Sequence, residues 1–373
     1  AQMIAPYITL EKIQQYLPSA KLSEVSEAYL TKPLVTISTD SRTIKEDDFF
    51  IALCGDSFDG NRFLNEVFSK GAFAALASDQ TQTVIKRPLM IVDNTLTAMQ
   101  QIAKSWRQEL QTKVSVVTGS NGKTTVKEMI AAIFKQALGS DQVLATTGNL
   151  NNEIGLPLTL LKLHRHHQLA VLEIGMNHPG ETSFLAQIAC PNIALINNAQ
   201  REHQEFMHTV QAVALEHGAV IKSLDQDGIA IFPADSEYTP IWRDLAGQRT
   251  TYEFELGTLQ NPSQADIHGF WAQDGKLTIC FGPMSGASSE NTVQVQLKTL
   301  GDHNAKNALA AAAVAYAAGI ELSAIQEGLE GFKPVSGRMC EHHLPSIYGQ
   351  GRMIDDTYNA NPDSVLAAIE VLR

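Results

Sequence analysis

Short apolar runs rich in β-branched residues recur along the chain, and segments with helical spacing of apolar residues separate them. This alternation predicts a mostly parallel sheet with helices on both faces. In the first part of the chain the predicted elements lie at 35–37, 49–52, 63–70, 74–77 and 89–92. We therefore expect a small N-terminal α/β domain over residues 1–93.

The same alternation continues beyond residue 93 and predicts a larger central domain. The predicted strands lie at 114–117, 143–145, 169–174, 193–196 and 229–232. After residue 249 the pattern becomes hairpin-like, with strands at 267–272, 277–281 and 293–297, and helices follow at 304–318 and 323–329. We expect a central domain over residues 94–333, with ligands at the carboxyl ends of its parallel strands.

The last part of the sequence predicts the beginning of a third domain. A strand is predicted at 353–356, but too few residues follow Pro334 for an independent core. We therefore expect residues 334–373 to be an incomplete third domain. The predicted fold class is α/β with three domains.

The segment TGSNGKTT, residues 118–125, follows an apolar run and precedes a helical pattern. Strand, glycine turn and helix form a phosphate-binding loop, because glycine lets the backbone approach an anion and the helix dipole favours negative charge. Lys123 is expected to reach the outer phosphates and the Thr124 hydroxyl to bind Mg²⁺. Val117 stands where the common pattern has glycine, and a plain glycine turn is the alternative. The segment predicts a site for a nucleoside triphosphate.

Other polar residues also follow predicted strands. Glu173 ends an apolar strand and is placed to bind Mg²⁺, although an ion-paired or capping glutamate is the alternative. His203 follows the next strand and could bind a second cation, or be solvated. The amide-rich segment 147–155 could bind a second substrate or serve turn formation alone. Asn304 and Asn307 could contact a purine edge, although an ordinary helix N-cap is the alternative. These residues predict phosphoryl transfer to a bound carboxylate or hydroxyl.

Composition narrows the classes of partner. A net charge of −12 argues against a nucleic-acid-binding surface, which is usually basic. The four cysteines are far apart and predict reduced thiols in a reducing compartment. The longest apolar run, 308–320, is shorter than the ~20 residues of a membrane span. We expect a cytoplasmic enzyme, monomeric, with neither nucleic-acid nor membrane partners.

Taken together, these segments resemble the Mur ligases, the ATP-dependent amide-forming enzymes of peptidoglycan synthesis. The loop TGSNGKTT has the family's form, which accounts for Val117, and segments 39–42 and 49–60 resemble its UDP-sugar-binding module. Within the family, segments 148–155 and 355–362 resemble the member that adds D-alanyl-D-alanine to a UDP-N-acetylmuramoyl-tripeptide. The resemblance implies a central P-loop ATPase domain, a Rossmann-like third domain, and ATP with Mg²⁺, two ions being expected.

The resemblance also implies roles for individual residues. Those expected to contact ATP are Gly119, Ser120, Asn121, Gly122, Lys123, Thr124, Thr125, Asn304, Asn307, Arg338 and Asp356. Those expected at the metal are Thr124, Glu173 and His203. Those expected to contact the other substrates are Ser41, Arg42, Asn149, Asn152, Tyr358, Asn359 and Asn361. The catalytic set is Lys123, Glu173, His203 and Glu216.

One position departs from the family. Many Mur ligases carry a carbamylated lysine on a helix downstream of the metal histidine, whereas His217 stands in that place here and the next lysine is Lys222. Our hypothesis is that Glu216 supplies the missing carboxylate. The alternative is that Glu216 is a solvated helix residue and that water fills the site.

Two other readings stay open. A sister ligase is one, either the enzyme that adds the third residue or folylpolyglutamate synthase. The Asp-Asn-Pro-Arg motif of the former is absent, and the latter lacks a UDP module such as residues 39–60. A P-loop nucleotide-binding protein without ligase activity is the other reading.

Overall fold

The computed structural model describes residues 7–78, 85–200, 209–282, 291–298 and 301–334, and the backbone of two strands at 340–343 and 352–355. The chain forms two compact units. The first comprises Ala1–Thr112, Thr147–Gln168 and Ile188–Cys190, and the second comprises Lys113–Thr146, Leu169–Gln187 and Pro191–Arg373. These units do not correspond one to one with the predicted domains, whose boundaries stay a prediction.

The first unit is built on a five-stranded sheet. Its strands are β1 (Lys21–Ser23), β2 (Ile37–Ser38), β3 (Phe49–Ile51), β4 (Ala74–Ser78) and β5 (Leu89–Val92). Their spatial order is β1-β5-β4-β3-β2, and only β1 is antiparallel to its neighbour. The helices of this unit are α1 (Leu10–Tyr16), α2 (Glu27–Thr31), α3 (Leu64–Ser69), α4 (Thr95–Glu109) and α6 (Gly155–Leu160).

The second unit is built on a nine-stranded sheet in the order β14-β13-β12-β11-β10-β9-β6-β8-β7. Its strands are β6 (Lys113–Thr118), β7 (Val143–Ala145), β8 (Leu169–Glu173), β9 (Ile193–Ile196), β10 (Ile229–Pro233), β11 (Thr250–Leu256), β12 (Ile267–Trp271), β13 (Leu277–Phe281) and β14 (Thr292–Val295). The strands from β7 to β12 are parallel, and β12, β13 and β14 pair antiparallel.

Helices accompany this sheet, and one of them is rich in buried alanine. They are α5 (Lys123–Leu138), α7 (Glu181–Ala189), α8 (Val210–Lys222), α9 (Thr239–Ala246), α10 (Gly301–Ala317) and α11 (Leu322–Gly331). The alanines of α10 are buried in the same apolar core as α5 and the inner face of the sheet. Small side chains let helix backbones approach closely, and at Gly328 of α11 a Cβ atom would lie 2.5 Å from the Ile133 Cα atom of α5.

The pattern-based elements agree with this fold, but several elements were not predicted, among them α1, β1, α2 and β11. The predicted hairpin with its turn at Asp274-Gly275 is confirmed by the antiparallel pairing of β12 and β13. The sequence of β11 alternates, with Glu253 and Glu255 between Tyr252, Phe254 and Leu256, so it has the pattern of a half-buried strand that the prediction left out. It extends the parallel part of the sheet by one strand. A last pair, β15 (Cys340–His343) and β16 (Arg352–Asp355), is antiparallel.

Candidate functional site: a phosphate-binding loop at the carboxyl edge of the sheet

The TGSNGKTT segment connects β6 to α5, so the predicted strand, loop and helix are confirmed. Two glycines of the loop have positive φ angles, +145° at Gly119 and +78° at Gly122. Their neighbours also leave no room for a side chain, since a Cβ atom at Gly122 would lie 2.6 Å from Asn307 Oδ1 and 2.9 Å from Asn197 Nδ2. The loop conformation therefore requires glycine at Gly122 for both conformational and steric reasons.

The segment after β9 holds the phosphate loop in place. The Asn198 side-chain oxygen accepts from the backbone N–H groups of Ser120 and Asn121, both at 2.9 Å. The amide groups of Asn197 and Asn198 both donate to the Asn121 carbonyl at 2.9 Å. The backbone N–H of Gln200 donates to the Ser120 hydroxyl at 2.8 Å. The conformation of the loop is thus set by hydrogen bonds to the segment that follows β9.

The start of α5 is the anion-binding element of this site. Gly122 is the N-cap residue, and within the described part of the chain no side chain caps the helix. The first backbone N–H groups of a helix have no intrahelical partner, and the helix dipole places partial positive charge there. Lys123 is the first residue of the helix and is half-buried, while Thr124 and Thr125 are buried. This end of the helix is suited to bind the phosphates of a nucleotide.

Thr124 and Glu173 form the predicted metal pair. The Thr124 hydroxyl donates to Glu173 Oε1 at 3.1 Å and lies 3.0 Å from Oε2, and both side chains are buried. The Glu173 backbone N–H donates to the Thr146 hydroxyl at 2.9 Å. Mg²⁺ prefers oxygen ligands in octahedral geometry at about 2.0–2.1 Å. Two oxygens about 3 Å apart fit neighbouring positions of one such ion, so these residues suit Mg²⁺.

The amides of α10 reach the same loop. Asn304 and Asn307 are both buried, and Asn307 Nδ2 lies 3.4 Å from Asn304 Oδ1. Asn307 Oδ1 accepts from Asn197 Nδ2 at 3.1 Å, next to Gly122. Their expected contact with adenine stays a prediction. The observed contacts show a role that the sequence did not indicate, which is to line the phosphate loop.

Helix α8 carries His217, which is expected in place of the family's lysine, and Glu216, which is expected to supply the missing carboxylate. The His217 ring is buried, and its Nδ1 atom lies 2.7 Å from the Thr118 hydroxyl at the start of the loop. Glu216 Oε1 accepts from the backbone N–H groups of Gly180 and Thr182, at 2.9 and 3.2 Å. Glu216 therefore binds the first turn of α7. Its expected catalytic role stays a prediction.

The residues predicted to bind substrate in the first unit lie on its surface. Arg42 is 85% exposed, and its guanidinium pairs with both carboxylate oxygens of Asp40 at 3.0 Å. Hydrogen bonds from Arg42 lower the pKa of the Asp40 carboxyl. Ser41 is half-buried and its carbonyl accepts from Lys70 Nζ at 2.9 Å. These contacts order the segment 39–42 around an exposed cation.

Asn149 and Asn152 differ in their surroundings. Asn149 is exposed, and its carbonyl accepts from the Asn151 N–H at 2.8 Å. Asn152 is half-buried, and its side-chain oxygen accepts from the N–H groups of Ile154 and Gly155 at 3.2 and 2.8 Å. Asn152 therefore shapes the turn that leads into α6. Several predicted site residues lie outside the described part of the chain: His203, Arg338, Asp356, Tyr358, Asn359 and Asn361.

The second unit thus combines a helix start suited to an anion, a lysine at that start and a pair of oxygens suited to Mg²⁺. This combination is suited to binding a nucleoside triphosphate with its metal. Residues 117–315 match the family model of the Mur ligase middle domain. The chain belongs to the Mur ligase family.

Relatives place this Mur ligase in one branch of the family. It is 35% identical, over 96% of its length and 76% of the relative's, to the UDP-N-acetylmuramoyl-tripeptide–D-alanyl-D-alanine ligase of Haemophilus influenzae. It is 36% identical to the same ligase of Bacillus subtilis, over 90% of its length and 69% of the relative's.

Solved structures agree with this placement. The Mur ligase described here superposes on the crystal structure of MurF from Acinetobacter baumannii with a TM-score of 0.84 and 29% identity, over 99% of its length and 77% of that chain. It superposes on MurF from Thermotoga maritima, solved in complex with ADP, with a TM-score of 0.75 and 27% identity, over 90% and 74% of the two chains. The α/β fold with the three-domain Mur ligase architecture is therefore confirmed. In the described residues no helix is both long and apolar enough to cross a membrane.

Proposed function

We propose that this Mur ligase joins D-alanyl-D-alanine to the terminal carboxylate of UDP-N-acetylmuramoyl-tripeptide, converting ATP to ADP and phosphate. The observation that carries the proposal is the phosphate loop with the Thr124–Glu173 pair beside it. The relatives named for this reaction support the choice of substrates. The product is a precursor of peptidoglycan.

The proposed chemistry follows from the weakness of a carboxylate as an electrophile. An oxygen of the tripeptide carboxylate attacks the γ-phosphorus of ATP, the bond to the β-phosphate oxygen breaks, and ADP leaves. The amine of D-alanyl-D-alanine then attacks the acyl phosphate through a tetrahedral intermediate. An amide bond forms, inorganic phosphate leaves with the bonding electron pair, and the amine loses its proton.

The residues of the second unit meet the electrostatic demand of the first step. Lys123 and the first N–H groups of α5 would offset the negative charge of the β- and γ-phosphates as an anionic carboxylate approaches. Thr124 and Glu173, with His203, would hold Mg²⁺, which when bound neutralises charge on the phosphates. A second Mg²⁺ ion belongs to the proposal as well.

The remaining assignments complete the proposal. Residues 1–93 would bind the UDP-sugar through Ser41 and Arg42, with Asn149 and Asn152 close to the sugar-peptide. Residues 94–333 would bind ATP, and residues 334–373 would begin the domain that closes on the nucleotide. In that domain the expected contacts are made by Arg338, Asp356, Tyr358, Asn359 and Asn361. We expect a cytoplasmic monomer.

Phosphate release in the presence of Mg²⁺ tests the proposal. ATP and UDP-N-acetylmuramoyl-tripeptide are supplied first, D-alanyl-D-alanine is added last, and the product is weighed by mass spectrometry. We expect sustained release only with all three substrates, and a product heavier by the dipeptide. Lys123→Met should lower the rate by about 10²- to 10³-fold, the size typical of a lost charge-stabilising donor.

Two outcomes would contradict the proposal. Release that is indifferent to the dipeptide would indicate a general P-loop ATPase. Ligation of a free amino acid in place of the dipeptide would indicate a sister ligase.

A further inference from the structure

Lys127 is a completely buried lysine one turn after Thr124 in α5, with 0% of its side chain exposed. Its ammonium group donates to the Thr146 carbonyl at 2.7 Å and to Glu128 Oε1 at 2.6 Å. A buried ammonium costs several kcal/mol unless it is paired and hydrogen-bonded. The fold retains this charge where an apolar side chain would fill the same space, which points to a role for the hydrogen bond to Thr146.

Thr146 connects Lys127 to Glu173, the carboxylate that we assign to the metal. Thr146 is buried directly after β7, and its N–H donates to the Val171 carbonyl of β8 at 3.1 Å. Its hydroxyl accepts from the Glu173 N–H at 2.9 Å. Glu173 in turn accepts from the Thr124 hydroxyl. Lys127, Thr146, Glu173 and Thr124 are thus linked in a ring, in which hydrogen bonds join the successive residues and the backbone of α5 connects Thr124 to Lys127.

We propose that Lys127 is a positioning residue for the metal site. It fixes Thr146, which fixes the backbone of Glu173, so that the carboxylate meets the Thr124 hydroxyl at the distance that one Mg²⁺ ion requires. This inference rests on the proposed function only in assigning MgATP to the loop. Partners that orient metal ligands commonly contribute about 10- to 100-fold to metal affinity.

The charge on Lys127 is balanced locally. Glu128 follows it in sequence and its side chain is 37% exposed, so this carboxylate can remain solvated while it accepts from Nζ. The ammonium can therefore stay buried beside the phosphate loop without a second buried acid. Replacing Lys127 by methionine keeps a side chain of similar length and removes only the donor and the charge.

The experiment compares ATP binding with excess Mg²⁺ and with EDTA, by titration calorimetry on the full chain. In the unsubstituted enzyme Mg²⁺ should strengthen ATP binding. In Lys127→Met we expect this gain to fall by about 10-fold or more, with affinity in EDTA unchanged. Lys135→Met is the matched control, because Lys135 lies exposed in the last turn of the same helix. It should bind ATP like the unsubstituted enzyme in both conditions.

A second pair of variants tests the ring at another point. Thr146→Val removes the hydroxyl that accepts from Glu173, and Thr146→Ser retains it. We expect the Mg²⁺-dependent gain to be lost in the first and kept in the second, so the test survives if Lys127→Met fails to fold. If Lys127 and Thr146 have a purely structural role, the ATP affinities with Mg²⁺ and with EDTA should fall in parallel or both stay unchanged. Either result would overturn the inference.

Failure of the proposed function gives a different result. If the unsubstituted enzyme binds ATP more tightly with Mg²⁺ but forms no product with D-alanyl-D-alanine, the substrate assignment is wrong and the role of Lys127 is still tested by the same titration. If Mg²⁺ does not affect ATP binding to the unsubstituted enzyme, the metal site itself is wrong.

Discussion

The Thr118 hydroxyl lies 2.7 Å from the Nδ1 atom of His217, and both side chains are completely buried. Thr118 ends β6 and begins the phosphate loop, whereas His217 lies in the middle of α8. The imidazole that we expect at the position of the family's modified lysine therefore contacts the loop itself. Removing one partner of a buried hydrogen bond leaves the other polar group unsatisfied, which destabilises the folded state.

The first prediction concerns this pair. His217→Leu leaves the Thr118 hydroxyl without this partner and should lower the free energy of unfolding by about 1–3 kcal/mol. His217→Asn places an amide near the position of Nδ1 and should restore part of the loss. Urea denaturation of both variants provides the measurement. Equal destabilisation by leucine and asparagine would show that volume, and not the hydrogen bond, matters at this position.

The second prediction concerns Gly122. Gly122→Ala introduces a Cβ atom 2.6 Å from Asn307 Oδ1 at a φ of +78°, so either the loop or the buried Asn307 side chain must shift. We expect ATP affinity to fall by about tenfold or more, because a loss of about 1.4 kcal/mol in binding free energy corresponds to a tenfold change in affinity. Gly139→Ala is the control, because Gly139 has a φ of +89° with nothing within 4 Å of the added atom.

Both variants carry a conformational cost, about 1–2 kcal/mol in the left-handed region at Gly122. At Gly139 it is about 1–3 kcal/mol, because its φ of +89° and ψ of 151° lie in a region that is almost restricted to glycine. Both stabilities should therefore fall, and only Gly122→Ala should lose nucleotide affinity. Calorimetric ATP titration beside urea denaturation separates the two effects. Unchanged ATP affinity in Gly122→Ala would mean that the loop can adopt another conformation without loss.

The third prediction separates the two roles of Glu216. As a cap of α7, Glu216 needs only an oxygen that accepts from Gly180 and Thr182. If capping is its only role, Glu216→Gln keeps the ligase rate within about twofold because it retains such an oxygen, whereas Glu216→Ala loses about 0.5–2 kcal/mol of stability. Measurements of the ligase rate and of thermal unfolding distinguish the capping role from a role at the metal. A large loss of rate in Glu216→Gln would instead support the carboxylate role at the metal.

The fourth prediction is a pH dependence in the first unit. Burial lowers the pKa of His167 from 6.5 to about 4, and the nearby rings of His166 and His164 act in the same direction. His167 Nδ1 also accepts from the His164 N–H at 2.9 Å, which requires this nitrogen to be unprotonated.

Because the folded-state pKa of His167 lies below its unfolded value, the unfolded chain binds more protons between pH 6.5 and 4. The free energy of unfolding should therefore fall as the pH drops through this range. His167→Asn keeps an acceptor that does not titrate and should show a smaller fall. Urea denaturation at pH 7.5 and pH 5 gives the change in the free energy of unfolding for the unsubstituted protein and for His167→Asn. An identical change in both proteins would contradict the prediction.

Local order in this protein was largely predictable from its sequence. The apolar run before Gly119 and the helical spacing after Gly122 specify the strand, loop and helix, since each depends on contacts between residues close in the chain. The acid at the end of β8 was predicted at the metal because parallel strands present their carboxyl ends at one edge of a sheet. The Thr124–Glu173 contact follows from this rule.

Only the tertiary structure decided which distant polar residues meet. Asn197 and Asn198 follow a strand like many loop residues, and nothing in their spacing indicates that they hold Asn121. Lysine is the kind of residue that normally occupies an exposed helix position. At Lys127, however, the packing of α5 against the sheet buries the side chain beside Thr146. Sequence patterns report period and propensity, whereas these hydrogen bonds depend on how strands adjacent in space, but not in sequence, are ordered in the sheet.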